Sequence, residues 1–104
     1  MPGIDFAVVR QRVSLAAVLQ RLEFQPTSVR GPQLRGPCPV HGSQSPGSRS
    51  FAVHLERGCY RCFRCGSHGN ALDLWAAVHG LSLYAAAENL CETFGLEIPW
   101  ITRW

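Results

Sequence analysis

Two short cysteine-containing stretches hold the residues best suited to chemistry. Gly36–Gly42 reads Gly-Pro-Cys-Pro-Val-His-Gly, and Cys62–Gly66 reads Cys-Phe-Arg-Cys-Gly. Cys38-x2-His41 and Cys62-x2-Cys65 each have the length of a tight turn that offers two ligands to one ion. Two such half-sites make a tetrahedral zinc centre. A glycine follows each pair, at Gly42 and Gly66, where a knuckle needs a residue tolerant of positive φ so that its amides can face the thiolates. The expectation is one structural zinc on Cys38, His41, Cys62 and Cys65. Four protein ligands leave no open position for water, so a catalytic zinc is not expected.

Cys59-x2-Cys62 is a second legal pair, but no glycine follows it and Cys59 falls inside a strand pattern. Cys91 sits on an apolar helical stripe and reads as core. His54 and His79 read as ordinary surface or packing histidines. Around the half-sites stand Arg35, Arg61 and Arg64, with Tyr60 and Phe63 interleaved. Arginines for phosphates and aromatic rings for stacking are how single strands are gripped without base readout. The competing reading is that Tyr60 and Phe63 close a small core and that part of the charge neutralises the thiolates.

The elements that must position these residues are short. Phe51–Leu55 alternates apolar and polar, and Cys59–Cys62 follows after Glu56-Arg57-Gly58, so a hairpin would carry the second half-site back to the first. Gln33–Arg35 is a further extended candidate. Upstream, Asp5–Arg12 can form a short helix with Ile4, Val8 and Val9 inward. Ser14 caps a second helix with Leu15, Val18, Leu19 and Leu22 on one side, ended by Pro26. Downstream, Asn70 caps a helix showing Leu72, Trp75, Ala76 and His79, and Gly80 ends it. Ser82 caps the last helix, with Leu83, Ala87, Leu90, Cys91 and Phe94 as its stripe and Gly95 after it. Gly42–Ser50 has nothing apolar to bury and reads as an exposed, mobile loop. Ile98, Trp100, Ile101 and Trp104 make an unusually apolar ending, which either covers the core or is the first turn of something longer.

With 104 residues the chain is expected to be one domain, residues 1–104, small enough to need a metal staple. Ten arginines and no lysine give a net charge of +3. Residues 30–65 carry six arginines and one glutamate, hence +5, whereas residues 66–104 carry one arginine against four acids, hence −3. Positive charge therefore concentrates on the metal-binding half. Five cysteines and no apolar leader fit a reducing cytoplasm better than a disulfide scaffold, and no stretch approaches membrane-spanning length. There is no phosphate-binding loop, dinucleotide fingerprint, nucleophile elbow or paired-carboxylate motif, so an independent enzyme is not expected.

At Gly-Pro-Cys-Pro-Val-His, Ser-Phe-Ala-Val and Cys-Phe-Arg-Cys-Gly-Ser-His-Gly-Asn-Ala-Leu-Asp, the chain resembles the CHC2 zinc-binding domain of bacterial and phage DNA primases. The resemblance covers roughly residues 4–97. It implies a small α+β fold, a zinc ribbon on a short antiparallel sheet flanked by N-terminal and C-terminal helices. It also implies zinc rather than an iron–sulfur cluster, with Cys38, His41, Cys62 and Cys65 as ligands. The implied partner is single-stranded template DNA during primer initiation, alongside a primase catalytic domain or a replicative helicase. Polymerisation would belong to a separate acidic, metal-binding domain. The chain is then a primase fragment or a free-standing relative, and the alternative is a protein-interaction module docking through the apolar tail. The run after His41 is about three residues longer than is usual in the family and has no lysine, which makes Arg49 the candidate replacement. Asn70 stands where aspartate is common, and His68 replaces a small residue, which makes it a second candidate ligand.

Overall fold

The computed structural model describes residues 3–42 and 49–101. Most of the Gly42–Ser50 expectation and the one for Trp104 lie outside the described residues. The elements run β1 (Gly3–Ile4), α1 (Phe6–Arg12), α2 (Leu15–Arg21), β2 (Ser28–Arg30), β3 (Gln33–Gly36), β4 (Phe51–His54), β5 (Cys59–Cys62), β6 (His68–Gly69), α3 (Ala71–His79), α4 (Leu83–Thr93) and β7 (Trp100–Ile101). This is the expected small α+β fold. Five strands form an antiparallel meander in the order β2-β3-β4-β5-β6, and β1 pairs with β7 in a separate ladder.

Helix starts follow their capping residues. The side chains of Asp5, Ser14 and Ser82 accept the backbone N–H groups of Val8, Ala17 and Ala85. Asn70 and Asp73 form a reciprocal capping box: Asn70 Oδ1 accepts from Asp73 N at 3.0 Å, and Asp73 Oδ2 accepts from Asn70 N at 2.9 Å.

Gly80 and Gly95 end α3 and α4 as expected, with positive φ, but the end of α2 differs. α2 stops at Arg21, well before Pro26. The N–H of Glu23 reaches Gln20 O (3.1 Å) and that of Phe24 reaches Leu19 O (3.0 Å), with Glu23 at φ 58. This is a Schellman closure in which the left-handed position is held by a glutamate rather than a glycine. Exposed Glu23→Gly should therefore raise stability by about 1 kcal/mol, read as a higher midpoint in urea unfolding with unchanged slope. A lower midpoint would mean that Glu23 makes a contact outweighing its backbone strain.

The inner face of the sheet meets the helices in one core. Along β4 and β5, Phe51, Val53, Tyr60 and Cys62 are buried, together with Val9 and Val18 from α1 and α2, Leu74 and Trp75 from α3, and Leu90 from α4. Phe24 meets Phe51 edge-on at 5.3 Å between ring centroids, and the indole N–H of Trp75 donates to Asn89 Oδ1 at 2.9 Å. The stripe expected on α4 is rotated: Leu83 is exposed and Ala86 takes its place inside. The apolar ending divides, since Ile98 packs on the core while Trp100 and Ile101 pair with Ile4 and Gly3 and stay partly exposed.

Candidate metal centre

The loop after β3 carries Cys38 and His41, and the turn at the end of β5 carries Cys62 and Cys65. The β4–β5 hairpin turns through Leu55–Gly58 and pairs Phe51 with Cys62, which returns the second half-site to the first. β3 pairs Gly36 with Phe51, so both half-sites leave the same end of the sheet.

The four donor atoms all lie within 4.8 Å of one another. Cys38 Sγ is 3.9 Å from Cys65 Sγ, and Cys62 Sγ is 3.7 Å from His41 Nδ1. Bond lengths of about 2.3 Å to sulfur and about 2.0 Å to nitrogen at tetrahedral angles give edges of roughly 3.5–3.8 Å. The Cys38–Cys65 and Cys62–His41 separations are close to such edges, and the donor set is consistent with a structural zinc site. Gly42 and Gly66 take the anticipated positive φ, 64° and 79°.

Backbone amides converge on the sulfurs. Arg64 N and Cys65 N each donate to Cys62 Sγ at 3.4 Å. Burial opposes ionisation of Cys62, but those amides and hydrogen bonds with Cys65 and Cys38 bring it down to about 7. At Cys38 burial dominates and pushes the thiol up to about 12, although the amides of His41 and Val40 work the other way. Of these two, Cys62 is therefore the readier thiolate near neutral pH, and a divalent cation is what would deprotonate Cys38. Cys62 is further fixed by its N–H donating to Ser67 O at 2.8 Å, while Ser67 Oγ hydrogen-bonds the Tyr60 hydroxyl at 2.7 Å.

The rival ligands fall elsewhere. Cys59 is exposed on β5, and Cys91 is buried in α4. His68 lies on β6 with its Nδ1 at 3.0 Å from Gly66 O, outside the four-donor cluster.

Strand alternation decides which expected nucleic-acid contacts share a face. Arg35, Ala52, Arg61 and His68 are successive cross-strand partners on β3, β4, β5 and β6, and they point outward. Gln33, His54 and Cys59 form the next outward row. Phe63, 63% exposed, stands beside the first row, with the guanidinium carbons of Arg35 and Arg61 at 5.3 and 5.4 Å from its ring centroid. These side chains border a depression of about 250 Å³. Arg64 is exposed on the knuckle itself.

Tyr60 does not join that face. Its even position on β5 turns it inward, where it is 4% exposed and its ring lies 5.4 Å from that of Phe51. It belongs to the core reading weighed above, and no base can stack on it. Arg35 also has a second task, because its Nε and Nη2 donate to Arg49 O at 3.0 and 2.6 Å. It thereby ties β3 to the segment entering β4, and Arg49 itself is exposed. The outward neighbours Gln33, His54 and His68 were not anticipated as part of this face. The hairpin register, once Leu55–Gly58 is taken as the turn, would have placed His54 there.

Residues 4–103 match the family model described as the CHC2 zinc finger. Among curated relatives, the DNA primase of Salmonella typhimurium is 40% identical over 63 residues, 61% of this chain and 10% of that protein. The Escherichia coli DNA primase is 35% identical over 71 residues, 68% and 12% of the two chains. That of Geobacillus stearothermophilus is 29% identical over 98 residues, 94% and 16%. The chain thus spans only about a tenth to a sixth of the length of these relatives. The fold also superimposes on a crystal structure of the Aquifex aeolicus primase comprising its zinc-binding and RNA polymerase domains. The TM-score is 0.70 at 24% identity, covering 91% of this chain and 22% of that one.

Proposed function

The chain belongs to the CHC2 zinc finger family, and from that premise we propose that it is the zinc-binding, non-catalytic module of a DNA primase. It holds one structural zinc on Cys38, His41, Cys62 and Cys65 and contacts single-stranded template DNA during primer initiation. The observation that carries the DNA reading is the outward row of Arg35, Arg61 and His68 with Phe63 beside it. One exposed aromatic ring between two guanidinium groups offers a stacking surface flanked by phosphate partners, which suits an unpaired strand. Arg64 extends the positive edge onto the knuckle. Among the described residues no carboxylate shares that outward face, and the acidic residues after Gly66 are Asp73 on α3, Glu88 and Glu92 on α4, and Glu97 beyond it.

Such a face has few phosphate contacts, so affinity alone should be weak, with a shallow salt dependence set by those few contacts. Fluorescence anisotropy with labelled single-stranded DNA should give a logarithmic salt slope that falls by about 0.7 for each arginine contact removed. Arg61→Ala and Arg64→Ala should each show this loss. Arg35→Ala should show it together with a looser Arg49 segment. Phe63→Ala should weaken binding without changing the slope, since stacking releases no counterions. Salt-insensitive binding, or a triple arginine variant that binds like the wild type, would transfer the role to protein docking. Among the described residues, the large apolar side chains left exposed for docking are Val29, Leu83, Trp100 and Ile101, with the Tyr84 ring tilted against Trp100 at 6.3 Å.

A further inference from the structure

Two histidines stand on the outer face of the sheet, and backbone contacts fix their neutral rings in opposite senses. His68 Nδ1 lies 3.0 Å from Gly66 O. A carbonyl oxygen only accepts, so Nδ1 carries the proton and Nε2 keeps a free lone pair. His54 is the reverse case. Its Nδ1 accepts the N–H of Arg57 at 3.2 Å, which leaves the proton on Nε2. His54 therefore presents a donor and His68 an acceptor.

The acceptor is held by the knuckle. Gly66 N donates to Cys62 O at 3.0 Å, and Cys62 N donates to Ser67 O at 2.8 Å. The carbonyl that orients His68 thus belongs to the turn bearing Cys62 and Cys65. His68 is exposed on β6, directly across the ladder from Arg61. Its Nε2 has no hydrogen-bond partner among the described residues.

The other outward side chains offer nothing equivalent. Arg35 and Arg61 only donate, Ala52 does neither, and Cys59 is a weak partner in either sense. Gln33 has both senses but lies on β3, three strands away from β6. Arg61 also connects His68 to the aromatic ring. Its guanidinium carbon is 5.4 Å from the Phe63 centroid, and His68 is one strand spacing further, about 4.8 Å.

We infer that His68 selects among template bases, accepting at Nε2 an N–H from the exocyclic amine of a base that neighbours the one stacked on Phe63. This rests on the DNA reading of the same face and adds to it a base preference that arginines and a stacking ring do not supply. Adenine and cytosine expose such an amine on the edge that an unpaired strand leaves open. Thymine has one edge donor, set between two carbonyl oxygens, so a lone pair that approaches it meets two others.

The test is fluorescence anisotropy at low salt with two labelled oligonucleotides, one of adenine and one with unsubstituted purine at every position. The second keeps the ring and deletes only the amine. Wild type should bind the adenine strand about threefold to tenfold more tightly, the worth of one neutral hydrogen bond. His68→Ala should lower adenine binding to the purine level, with its zinc content and melting curve intact. Arg61→Ala should weaken both strands and keep their ratio. A wild-type ratio near one, or a ratio that survives in His68→Ala, would overturn the inference, while the salt slope and the arginine variants could still support the DNA reading. Salt-insensitive binding of both strands would overturn the two together.

Discussion

Cys62→Ser is expected to cost the protein both its metal and its cooperative unfolding transition. Cys62 is fully buried, pairs through β5 with Phe51, and accepts two backbone N–H groups in addition to its place in the four-donor cluster. Structural zinc contributes on the order of 10–16 kcal/mol of apparent binding free energy in zinc-finger peptides, as much as or more than the whole stability of an ordinary domain. A serine keeps the volume but gives up the thiolate. Cys59→Ser provides the contrast, because Cys59 is exposed and outside the cluster. It should keep one zinc per chain and a normal melting curve, as should His68→Ala. Metal content by mass spectrometry and thermal unfolding by circular dichroism read both properties. Zinc retained in Cys62→Ser and lost in Cys59→Ser would overturn the ligand assignment.

Gly69→Ala should be strongly destabilising although it lies away from the cluster and removes no core side chain. Gly69 sits in β6 at φ 140, and a Cβ there would lie 2.6 Å from Asp73 Cβ, with the carboxylate also in collision. Asp73 cannot retreat without opening the capping box that starts α3. Backbone strain of about 1–3 kcal/mol and a lost cap of about 1 kcal/mol add to roughly 3 kcal/mol. In a domain of this size that is a fall of about 12–24 °C in melting temperature. Asp73→Ala alone should cost only about 1 kcal/mol. The double variant should be more stable than the sum of the two single changes, because removing the carboxyl relieves the clash. A Gly69→Ala melting point within about 2 °C of wild type would show that β6 and α3 can separate cheaply.

What could be read from the sequence was what acts over a few residues. The two half-sites, their following glycines, the β4–β5 hairpin and the caps at Ser14, Asn70 and Ser82 each rest on a local rule, and the structure has them. What could not be read depends on partners distant in sequence or on surfaces with no periodic signal. β2 has a single apolar residue, Val29, and that residue is 61% exposed, so alternation gave no strand signal there. β1 and β7 are two residues each and find one another across nearly the whole chain. The stop of α2 was misplaced because Glu23 holds a backbone position where glycine is the usual marker. Tyr60 was grouped with its charged neighbours by adjacency, although a period of two sends consecutive strand residues to opposite faces. The outer face needed the β3–β4 register, and nothing in Gln33–Gly36 specifies that register alone.

The β1–β7 ladder has a mechanical consequence. Gly3 faces Ile101 and Ile4 faces Trp100, so the ladder is two residue pairs long and the backbone leaves it at the same end in both directions. A pull applied through whatever is joined to the two ends would peel this ladder open one pair at a time, the geometry in which hydrogen bonds resist least. Beyond it the load would pass to α1 and to the segment after α4. The hairpin and both knuckles lie in the interior of the sequence, off the direct line of force. The ladder therefore acts as a fuse, yielding under tension while the four-donor cluster stays assembled.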